Sequence, residues 1–431
     1  MLNRRQNMRL PEDFVRETRE AMGERLFGLL HDGLEQEPPP VSIRVHSSSS
    51  LGEQNATSAW RVVDGEPVPW CANGYYLSGR PGFTFDPLLH AGCYYVQEAS
   101  SMFLDHVVSQ IKHLLPCRAG GQEPSLRALD LCAAPGGKST LLASALPEGS
   151  RLISNEAIAK RAWILSENMQ KWYLTGGAPV VTNNFACDFK KAKLMFDLIL
   201  CDVPCSGEGM FRKNEKAVGE WSLANVKKCQ QLQREIVADI WPCLQPGGYM
   251  VYSTCTFNVH ENEENVAWIA NELGAEVIEI PVEPEWNITG ALTGRHPVCR
   301  FIPGVSRGEG LFMALLKKKG DESARIAERK GAMNQLRVVP NEFLDTCRAA
   351  IESGDSASLV SLSYEQAIAY LRGEALVLPA ETPRGIVPVG FKNRLLGVVK
   401  NIGNRANNLY PKEWRIKSTY VPEYQEIIKE I

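Results

Sequence analysis

Short apolar runs and amphipathic segments alternate along the middle of the chain, between residues 126 and 319. The apolar runs have the length and composition of strands, and they are LRALDL, SRLISN, PVVTNN, FDLILCD, GYMVYSTC and LFMALLKKK. Helical periodicity covers residues 138–146, 159–173, 225–244 and 261–273 between them. Strands that alternate with helices of this length predict an α/β unit whose parallel sheet is covered on both faces.

Two smaller units flank this α/β unit. Residues 11–32 carry apolar side chains on a helical period, and short alternating strands follow, which predicts a small α+β region. Near the other end, short β-like runs between glycines and prolines predict a mostly β module. The predicted division is an N-terminal region at 1–88, the α/β unit at 89–318, a polar linker at 319–334 and a C-terminal region at 335–431.

The composition is that of a globular protein, with 44% hydrophobic residues among 431. No stretch reaches the roughly 18 to 20 consecutive apolar residues of a membrane-spanning helix. The positively charged start of the chain has no apolar run after it, unlike a secretory signal. We therefore expect a cytoplasmic protein that does not enter a membrane.

The formal net charge of -3 conceals a strong asymmetry between two segments. Residues 261–285 hold eight glutamates and no Lys or Arg, whereas residues 382–419 hold eight Lys or Arg and one acid. Each segment could be no more than a solvated face. Because a polyanion is attracted to the second segment and repelled by the first, the basic segment favours contact with nucleic acid.

The segment ALDLCAAPGGKST, residues 128–140, passes from a predicted strand through a Pro-Gly-Gly turn into a predicted helix. A phosphate-binding loop requires glycine at position 132, where cysteine stands, and the G-x-G-x-x-G dinucleotide fingerprint is also absent. Glycines at such a turn let backbone amides approach a ligand, and an acid about 20 residues later can bind a ribose. Glu156 has this spacing from Gly136. The pattern predicts an adenosine pocket without a diphosphate, which fits S-adenosylmethionine.

Asp188, after the third predicted strand, is a candidate contact for the adenine edge of that cofactor. A plain helix-capping role also explains this group of residues and stays open at this point.

Twelve cysteines are scattered without a C-x-x-C pair or a nearby His, so we predict no metal site. Cys205 and Cys255 differ from the others because each follows the end of an apolar run, where open α/β sheets bind ligands. A thiolate that adds to carbon 6 of cytosine makes carbon 5 nucleophilic enough to take a methyl group. The spacing does not decide which of the two cysteines attacks.

Two charged residues are candidates to assist such a thiolate. Lys138 could supply the positive neighbour that a thiol needs in order to ionise near pH 7. Asp202, three residues before Cys205, could bind the edge of the base, although a cofactor contact or a loop cap would also suit it.

Several segments, in the right order, resemble the Sun (Fmu) family of RNA cytosine-5 methyltransferases: YYVQEASSM at 94–102, LDLCAAPGGKST, NEAIAKRAWIL, CDVPCSGEGMFRK and YSTCTFNVHENE. The flanking segments LPEDFV and ANNLYPKEWRIK are similar to the bacterial ribosomal small subunit methyltransferase F type. The resemblance implies a Rossmann-like S-adenosylmethionine-dependent methyltransferase sheet with an N-terminal RNA-binding region and a C-terminal PUA-like domain. It also implies RNA as partner, with small-subunit (16S) ribosomal RNA as substrate.

The resemblance further implies that Cys255 is the nucleophile and that Cys205 helps to release the product. It assigns the methyl donor to Cys132, Ala133, Ala134, Pro135, Gly136, Gly137, Lys138, Glu156, Asp188 and Asp202. Family members commonly have Thr and Ala where Ser139 and Val203 stand here. A transfer RNA substrate and a non-catalytic RNA-binding assembly factor stay as alternatives, and a monomer is expected.

Overall fold

The computed structural model describes residues 10–46, 60–115, 124–174, 176–320, 326–327, 329–352 and 359–430. The chain begins with helix α1 (Glu12–Glu35), which Pro11 precedes and which deviates from helical geometry at Gly23, where φ is 72°. A four-stranded antiparallel sheet of order β3-β4-β1-β5 follows. The elements of this part are β1 (Val41–Val45), β2 (Trp60–Val62), β3 (Gly65–Pro67), β4 (Gly74–Leu77), α2 (Pro87–His90) and β5 (Tyr94–Val96).

The central sheet has the strand order β11-β13-β10-β9-β6-β7-β8-β14, with β12 paired to β13. Strands β10, β9, β6, β7 and β8 are parallel, while β11, β13 and β14 are antiparallel to their neighbours. Its strands are β6 (Arg127–Asp130), β7 (Arg151–Asn155), β8 (Val180–Thr182), β9 (Phe196–Asp202), β10 (Leu244–Thr254), β11 (Ala275–Ile278), β12 (Cys299–Phe301), β13 (Leu311–Lys318) and β14 (Val338–Val339). The predicted Rossmann-like methyltransferase sheet is confirmed.

Helices cover both faces of this sheet. They are α3 (Phe103–Leu114), α4 (Gly137–Ala145), α5 (Ala159–Trp172), α6 (Ala186–Ala192), α8 (Leu223–Ile240) and α9 (Glu263–Glu272), whereas the short α7 (Glu215–Glu220) packs in a separate cluster with α1. Met250 and Tyr252 of β10 belong to the core that includes α6, α8 and α9, whereas Tyr249 and Val251 belong to the core with α3 and α4. Because successive strand residues point to opposite faces, a continuous apolar run is needed to fill both cores.

The C-terminal part contains α10 (Glu342–Glu352), β15 (Val360–Ser361), α11 (Tyr364–Leu371), β16 (Gly385–Phe391), β17 (Arg394–Asn401), β18 (Ala406–Asn408) and β19 (Ile428–Glu430). Strands β15 to β18 form a separate four-stranded sheet in chain order, as predicted for a mostly β module. Two strands connect the C-terminal third of the chain to the rest of the molecule. β19 pairs with β2 of the N-terminal part, and β14 pairs with β8 at the edge of the central sheet.

The arrangement directs the carboxyl ends of five neighbouring parallel strands to one edge of the central sheet. The loops after β6, β7, β8, β9 and β10 therefore meet there, and they carry the residues that the sequence analysis selected. Within the ranges described above, no helix combines the length and the apolar character that crossing a bilayer requires.

Candidate active site

The loop between β6 and α4 is held by α5. Gly136 has a φ of 120°, a conformation that favours glycine, and the turn passes directly into α4. Asn168 Nδ2 donates to the Pro135 carbonyl at 2.7 Å, and Arg161 Nη2 donates to the Ala134 carbonyl at 2.9 Å. The backbone amides at the start of α4 are thus presented at a fixed turn, as a polar ligand requires.

Asp130, at the end of β6, is a site residue whose role the sequence analysis did not identify. It is fully buried, and its Oδ2 accepts a hydrogen bond from Ser139 Oγ at 2.7 Å. Its Oδ1 is buried without any hydrogen bond within the described part of the chain. Burial raises the pKa of this carboxyl to about 7. Asp130 therefore offers an unused acceptor directly beneath the cofactor loop.

Glu156 lies where the sequence analysis placed it, immediately after β7. Its Oε1 accepts the amide of Ile158 at 3.0 Å, and its Oε2 lies 3.3 Å from Arg161 Nη1. Oε2 is buried and has no hydrogen bond among the residues the structure describes. The Glu156 carboxylate is therefore held in position, and its Oε2 atom is free to accept a hydrogen bond, as in an acid that binds a ribose.

Asp188 lies at the start of α6, one strand further along the sheet edge. Its Oδ2 accepts the Phe185 amide at 3.1 Å, and its Oδ1 lies 3.0 Å from Lys191 Nζ. The hydrogen bond from Lys191 is the main cause that lowers the pKa of this carboxyl. In this structure Asp188 caps a helix, and its predicted contact with the adenine edge stays a prediction.

The free acceptor atoms at this edge of the sheet fit S-adenosylmethionine. The cofactor carries a cationic amino group and ribose hydroxyls, both of which are hydrogen-bond donors. Asp130 Oδ1 and Glu156 Oε2 are buried acceptors that lack hydrogen bonds within the described residues. They lie at the ends of the adjacent strands β6 and β7, on either side of the turn that ends at Gly136.

The two selected cysteines lie side by side. Strands β9 and β10 are parallel neighbours with Asp202 opposite Ser253, so both chains leave the sheet at the same edge. Cys205 Sγ and Cys255 Sγ are 3.2 Å apart and share a hydrogen bond. That hydrogen bond and burial raise the pKa of Cys205 well above its usual value. Cys205 therefore stays protonated at neutral pH and can donate to the Cys255 sulfur.

Lys138 and Asp202 form an ion pair next to the thiols. Lys138 Nζ lies 2.9 Å from Asp202 Oδ2, and Ser253 Oγ donates to Asp202 Oδ1 at 2.7 Å. Burial alone lowers the pKa of Lys138, but the charge and hydrogen bond of Asp202 raise it above its usual value, with a smaller contribution from Cys255. The ammonium group therefore lies within electrostatic range of the Cys255 sulfur.

Two buried carboxylates fasten the cysteine loops to each other. Glu208, from the loop after β9, accepts the amides of Phe257 and Asn258 in the loop after β10, and Asn258 Nδ2 donates to its Oε1 at 2.9 Å. Glu261 accepts the Ser206 amide at 3.0 Å. Burial, followed by the charge of Glu208, raises the pKa of Glu261 to about 7. The position of Glu208 in CSGEG was visible in the sequence, but its burial was not.

The acidic segment 261–285 is therefore not one solvated face. Glu261 is fully buried, and Glu263 is buried in an ion pair with Arg300. The other six glutamates of the segment are exposed or half-buried. A solvated face is the wrong interpretation for the first two, because composition cannot distinguish buried acids from exposed ones.

The basic segment 382–419 divides in a similar way. Lys392 and Arg394 form ion pairs with Glu426 and Glu430, close to where β19 joins the N-terminal part. Lys392 is itself exposed, and the other exposed cations of the segment are Arg384, Lys400, Arg405, Lys412 and Lys417. Within the described residues, no cluster of His, Cys, Asp and Glu is arranged to hold a metal ion.

The Rossmann-like sheet, the glycine turn with its two unused acceptors and the paired thiols together define an S-adenosylmethionine-dependent methyltransferase. Three family models match successive parts of the chain: the N-terminal domain of 16S rRNA methyltransferase RsmF at residues 10–99, 16S rRNA methyltransferase RsmB/F at 121–317 and the methyltransferase RsmF PUA domain at 357–416. The chain belongs to the 16S rRNA methyltransferase RsmB/F family.

Curated relatives match along nearly the whole chain. The ribosomal RNA small subunit methyltransferase F of Cronobacter sakazakii is 33% identical over 94% of this chain and 96% of the relative. Its counterpart in Aliivibrio fischeri is 28% identical over 94% of this chain and 98% of the relative. These matches confirm the predicted family, enzyme class and cofactor.

Solved structures support the fold. A methyltransferase homologue from Pyrococcus horikoshii covers 72% of this chain and 96% of its own, with a TM-score of 0.57 at 23% identity. NSun6 from Pyrococcus horikoshii covers 72% of this chain and 99% of its own, with a TM-score of 0.56 at 18% identity.

Proposed function

We propose that the protein methylates carbon 5 of cytosine in 16S ribosomal RNA through a covalent bond between Cys255 and the base. The observation that carries the proposal is the pair of thiols 3.2 Å apart beside the Lys138 ammonium group, at the sheet edge that holds the cofactor loop. The names of the family and of its curated relatives support ribosomal RNA as the substrate.

The order of events follows from the two sulfur environments. Cys205 can donate a hydrogen bond to the Cys255 sulfur, and Lys138 adds positive charge nearby, so we assign the attacking thiolate to Cys255. Attack of Cys255 on carbon 6 of the ring makes carbon 5 nucleophilic. Asp202, held by Lys138 and Ser253, is placed to bind the polar edge of the base. S-adenosylmethionine supplies the methyl group.

Release then requires two linked proton movements. The carbon 5 proton must leave, and the bond between carbon 6 and the Cys255 sulfur must break. As the carbon 5–H electron pair forms the double bond between carbons 5 and 6 and expels the sulfur, Cys205 can pass its proton to the departing Cys255 sulfur across 3.2 Å and take up the carbon 5 proton. The proton on Cys255 then leaves to solvent, so Cys205 is again a thiol and Cys255 a thiolate. This division of roles explains why the site needs two cysteines rather than one.

Methyl transfer from tritiated S-adenosylmethionine to 16S ribosomal RNA tests the proposal. We expect Cys255→Ala to abolish transfer and Cys205→Ala to accumulate a protein-RNA adduct on a denaturing gel. Cys229→Ala is the matched control, because Cys229 is half-buried on α8 outside the site and should keep wild-type transfer. Activity that survives Cys255→Ala would contradict the proposal. Tritium label that appears only in transfer RNA would show that the substrate is transfer RNA and not 16S ribosomal RNA.

We also propose the predicted division of the chain, with the N-terminal boundary moved from residue 88 to beyond β5, because β5 pairs with β1 in the N-terminal sheet. RNA-binding roles are proposed for this N-terminal region, predicted as 1–88, and for the PUA-like domain within 335–431. The six exposed cations of the basic segment support RNA contact by the C-terminal region. A monomer is the proposed functional unit, since one chain supplies the thiols, the ion pair and the cofactor loop. Cytoplasmic location is proposed from the ribosomal substrate.

A further inference from the structure

Arg44, on strand β1 of the N-terminal sheet, reaches the cofactor loop of the catalytic unit. Its side chain is buried, with 2% of the residue exposed. Its Nη2 donates to Thr140 Oγ1 at 2.6 Å and lies 3.5 Å from the Gly137 carbonyl. Its Nε donates to Gln97 Oε1 at 2.8 Å. One guanidinium group thus links two strands of the N-terminal sheet to the first turn of α4.

The environment of Arg44 is unusual for a buried charge. Its hydrogen-bond partners among the described residues are all neutral, and its guanidinium lies 4.6 Å from the ring centre of Trp172. Burial lowers the pKa of Arg44 to about 10, so the group still carries its charge at neutral pH. The charge of Asp105 favours the guanidinium, but no carboxylate accepts a hydrogen bond from it among the described residues. Burying such a charge costs free energy, and an apolar residue could fill the same space at a lower cost. The hydrogen bonds from Arg44 to the start of α4 explain why a charged residue stands at this buried position.

Strand β5 packs against the same loop. A Cβ atom built on Gly137 would lie 3.3 Å from Tyr95 Cε1 and 3.7 Å from Gln97 Cδ. A Cβ atom on Gly136 would lie 4.0 Å from the Tyr95 hydroxyl. The turn is therefore enclosed between α5 on one side and the N-terminal sheet on the other.

We propose that Arg44 is a positioning residue for S-adenosylmethionine, and that the N-terminal sheet is part of the cofactor site in addition to its proposed role in RNA binding. Among the described residues, the hydrogen bonds of Arg44 go to Gln97, Gly137 and Thr140 and not to either thiol. Arg44 holds the start of α4, which follows the proposed cofactor loop, through Thr140 and the Gly137 carbonyl. The inference rests on the use of this cofactor, and it concerns how the full chain binds it.

Calorimetric titration of the full-length protein with S-adenosylmethionine, without RNA, tests this inference. We expect Arg44→Met to weaken cofactor binding at least tenfold, and Arg44→Lys to lie between that variant and the wild type because one ammonium group can reach only part of the partner set. Arg234→Met is the matched control, since Arg234 bonds to Asn265 and lies against Trp268 on the opposite side of the sheet. It should bind with wild-type affinity.

Hydrogen exchange distinguishes positioning from general stability. In Arg44→Met the amides of residues 136–140 should exchange faster, while amides of β9 and β10 keep their protection. Thr140→Val provides a second route if Arg44→Met does not fold, because it removes only the hydroxyl acceptor from the same contact. We expect it to weaken cofactor binding about threefold to tenfold.

The inference is overturned if the wild type binds the cofactor and Arg44→Met or Thr140→Val binds it equally well. Failure of the wild type to bind S-adenosylmethionine would instead contradict the proposed function, so the same titration separates the two outcomes.

Discussion

Glu208→Gln tests how the structure keeps the two cysteines together. Glu208 is fully buried, and both of its oxygens accept hydrogen bonds from donors that cannot turn away. Oε2 accepts the amides of Phe257 and Asn258, while Oε1 accepts Trp221 Nε1 and Asn258 Nδ2, each at 2.9 Å. Glutamine has the same shape, but its amide nitrogen must face two N–H donors in either orientation.

The expected cost follows from those donors. A buried donor that loses its acceptor costs about 1–3 kcal/mol, and bonds to a charged acceptor are the stronger ones. Two such losses lower the free energy of unfolding by about 3–5 kcal/mol, comparable to breaking a buried ion pair. We also expect methyl transfer to fall at least tenfold, because the loop that carries Cys255 is no longer fastened to the loop that carries Cys205.

Urea unfolding followed by tryptophan fluorescence, together with methyl transfer below the unfolding transition, measures both effects. Glu264→Gln is the control, because Glu264 is an exposed acid in the first turn of α9 and should change stability by about 0.5 kcal/mol or less. The reasoning is refuted if Glu208→Gln unfolds at the wild-type urea concentration and transfers methyl groups at the wild-type rate.

Three further predictions concern the same edge of the sheet. Burial raises the pKa of Asp130 to about 7, so the folded state holds a proton that the unfolded state releases near pH 4, and stability falls as pH rises between those values. Asp130→Asn should therefore gain up to about 4 kcal/mol relative to wild type between pH 4 and 8 in urea unfolding without cofactor; a constant difference across that range would contradict this. Ser253→Ala removes the 2.7 Å bond to Asp202 and should lower kcat about tenfold with a wild-type unfolding temperature, and an unchanged kcat would show that this bond does not position Asp202. In Gly209→Ala the new Cβ would lie 2.8 Å from the Cys255 carbonyl oxygen and should cost about 1–3 kcal/mol by thermal unfolding, whereas Gly219→Ala, with open space around it, should cost nothing.

The central fold could be predicted because its strands are buried on both faces. Every residue of β9 except the last is buried, so FDLILCD appears in the sequence as an uninterrupted apolar run. Helix ends were less accurate. Helix α8 spans Leu223–Ile240 rather than 225–244, because Ser222 caps its start and Pro242 lies just beyond its end.

Strand segments that depend on pairing with distant parts of the chain could not be predicted from the sequence. β10 begins at Leu244, four residues before the predicted strand, since Leu244 pairs with Phe196 across a register shift. β14 has only two residues and pairs with β8, about 155 positions earlier in the chain. A pairing of that range leaves no periodic signal in a two-residue segment.

The candidate site shows the same division. Spacing placed Cys205, Cys255, Lys138 and Glu156 at one edge, because residues that follow parallel strands meet there. The roles of Glu208 and Arg44, which support the site, could not be predicted from the sequence. The place of Glu208 in the network depends on which amides face it after folding, and the contact of Arg44 with the loop crosses 96 positions of sequence.

The most direct test of the covalent mechanism is to trap the base on the protein. RNA that contains 5-fluorocytidine at the target stalls the release step, because fluorine cannot leave carbon 5 as a proton does. After reaction with S-adenosylmethionine, digestion and mass spectrometry should find the methylated nucleotide attached to the peptide that contains Cys255. A nucleotide attached to Cys205, or no attachment at either thiol despite methylation of ordinary RNA, would contradict the account.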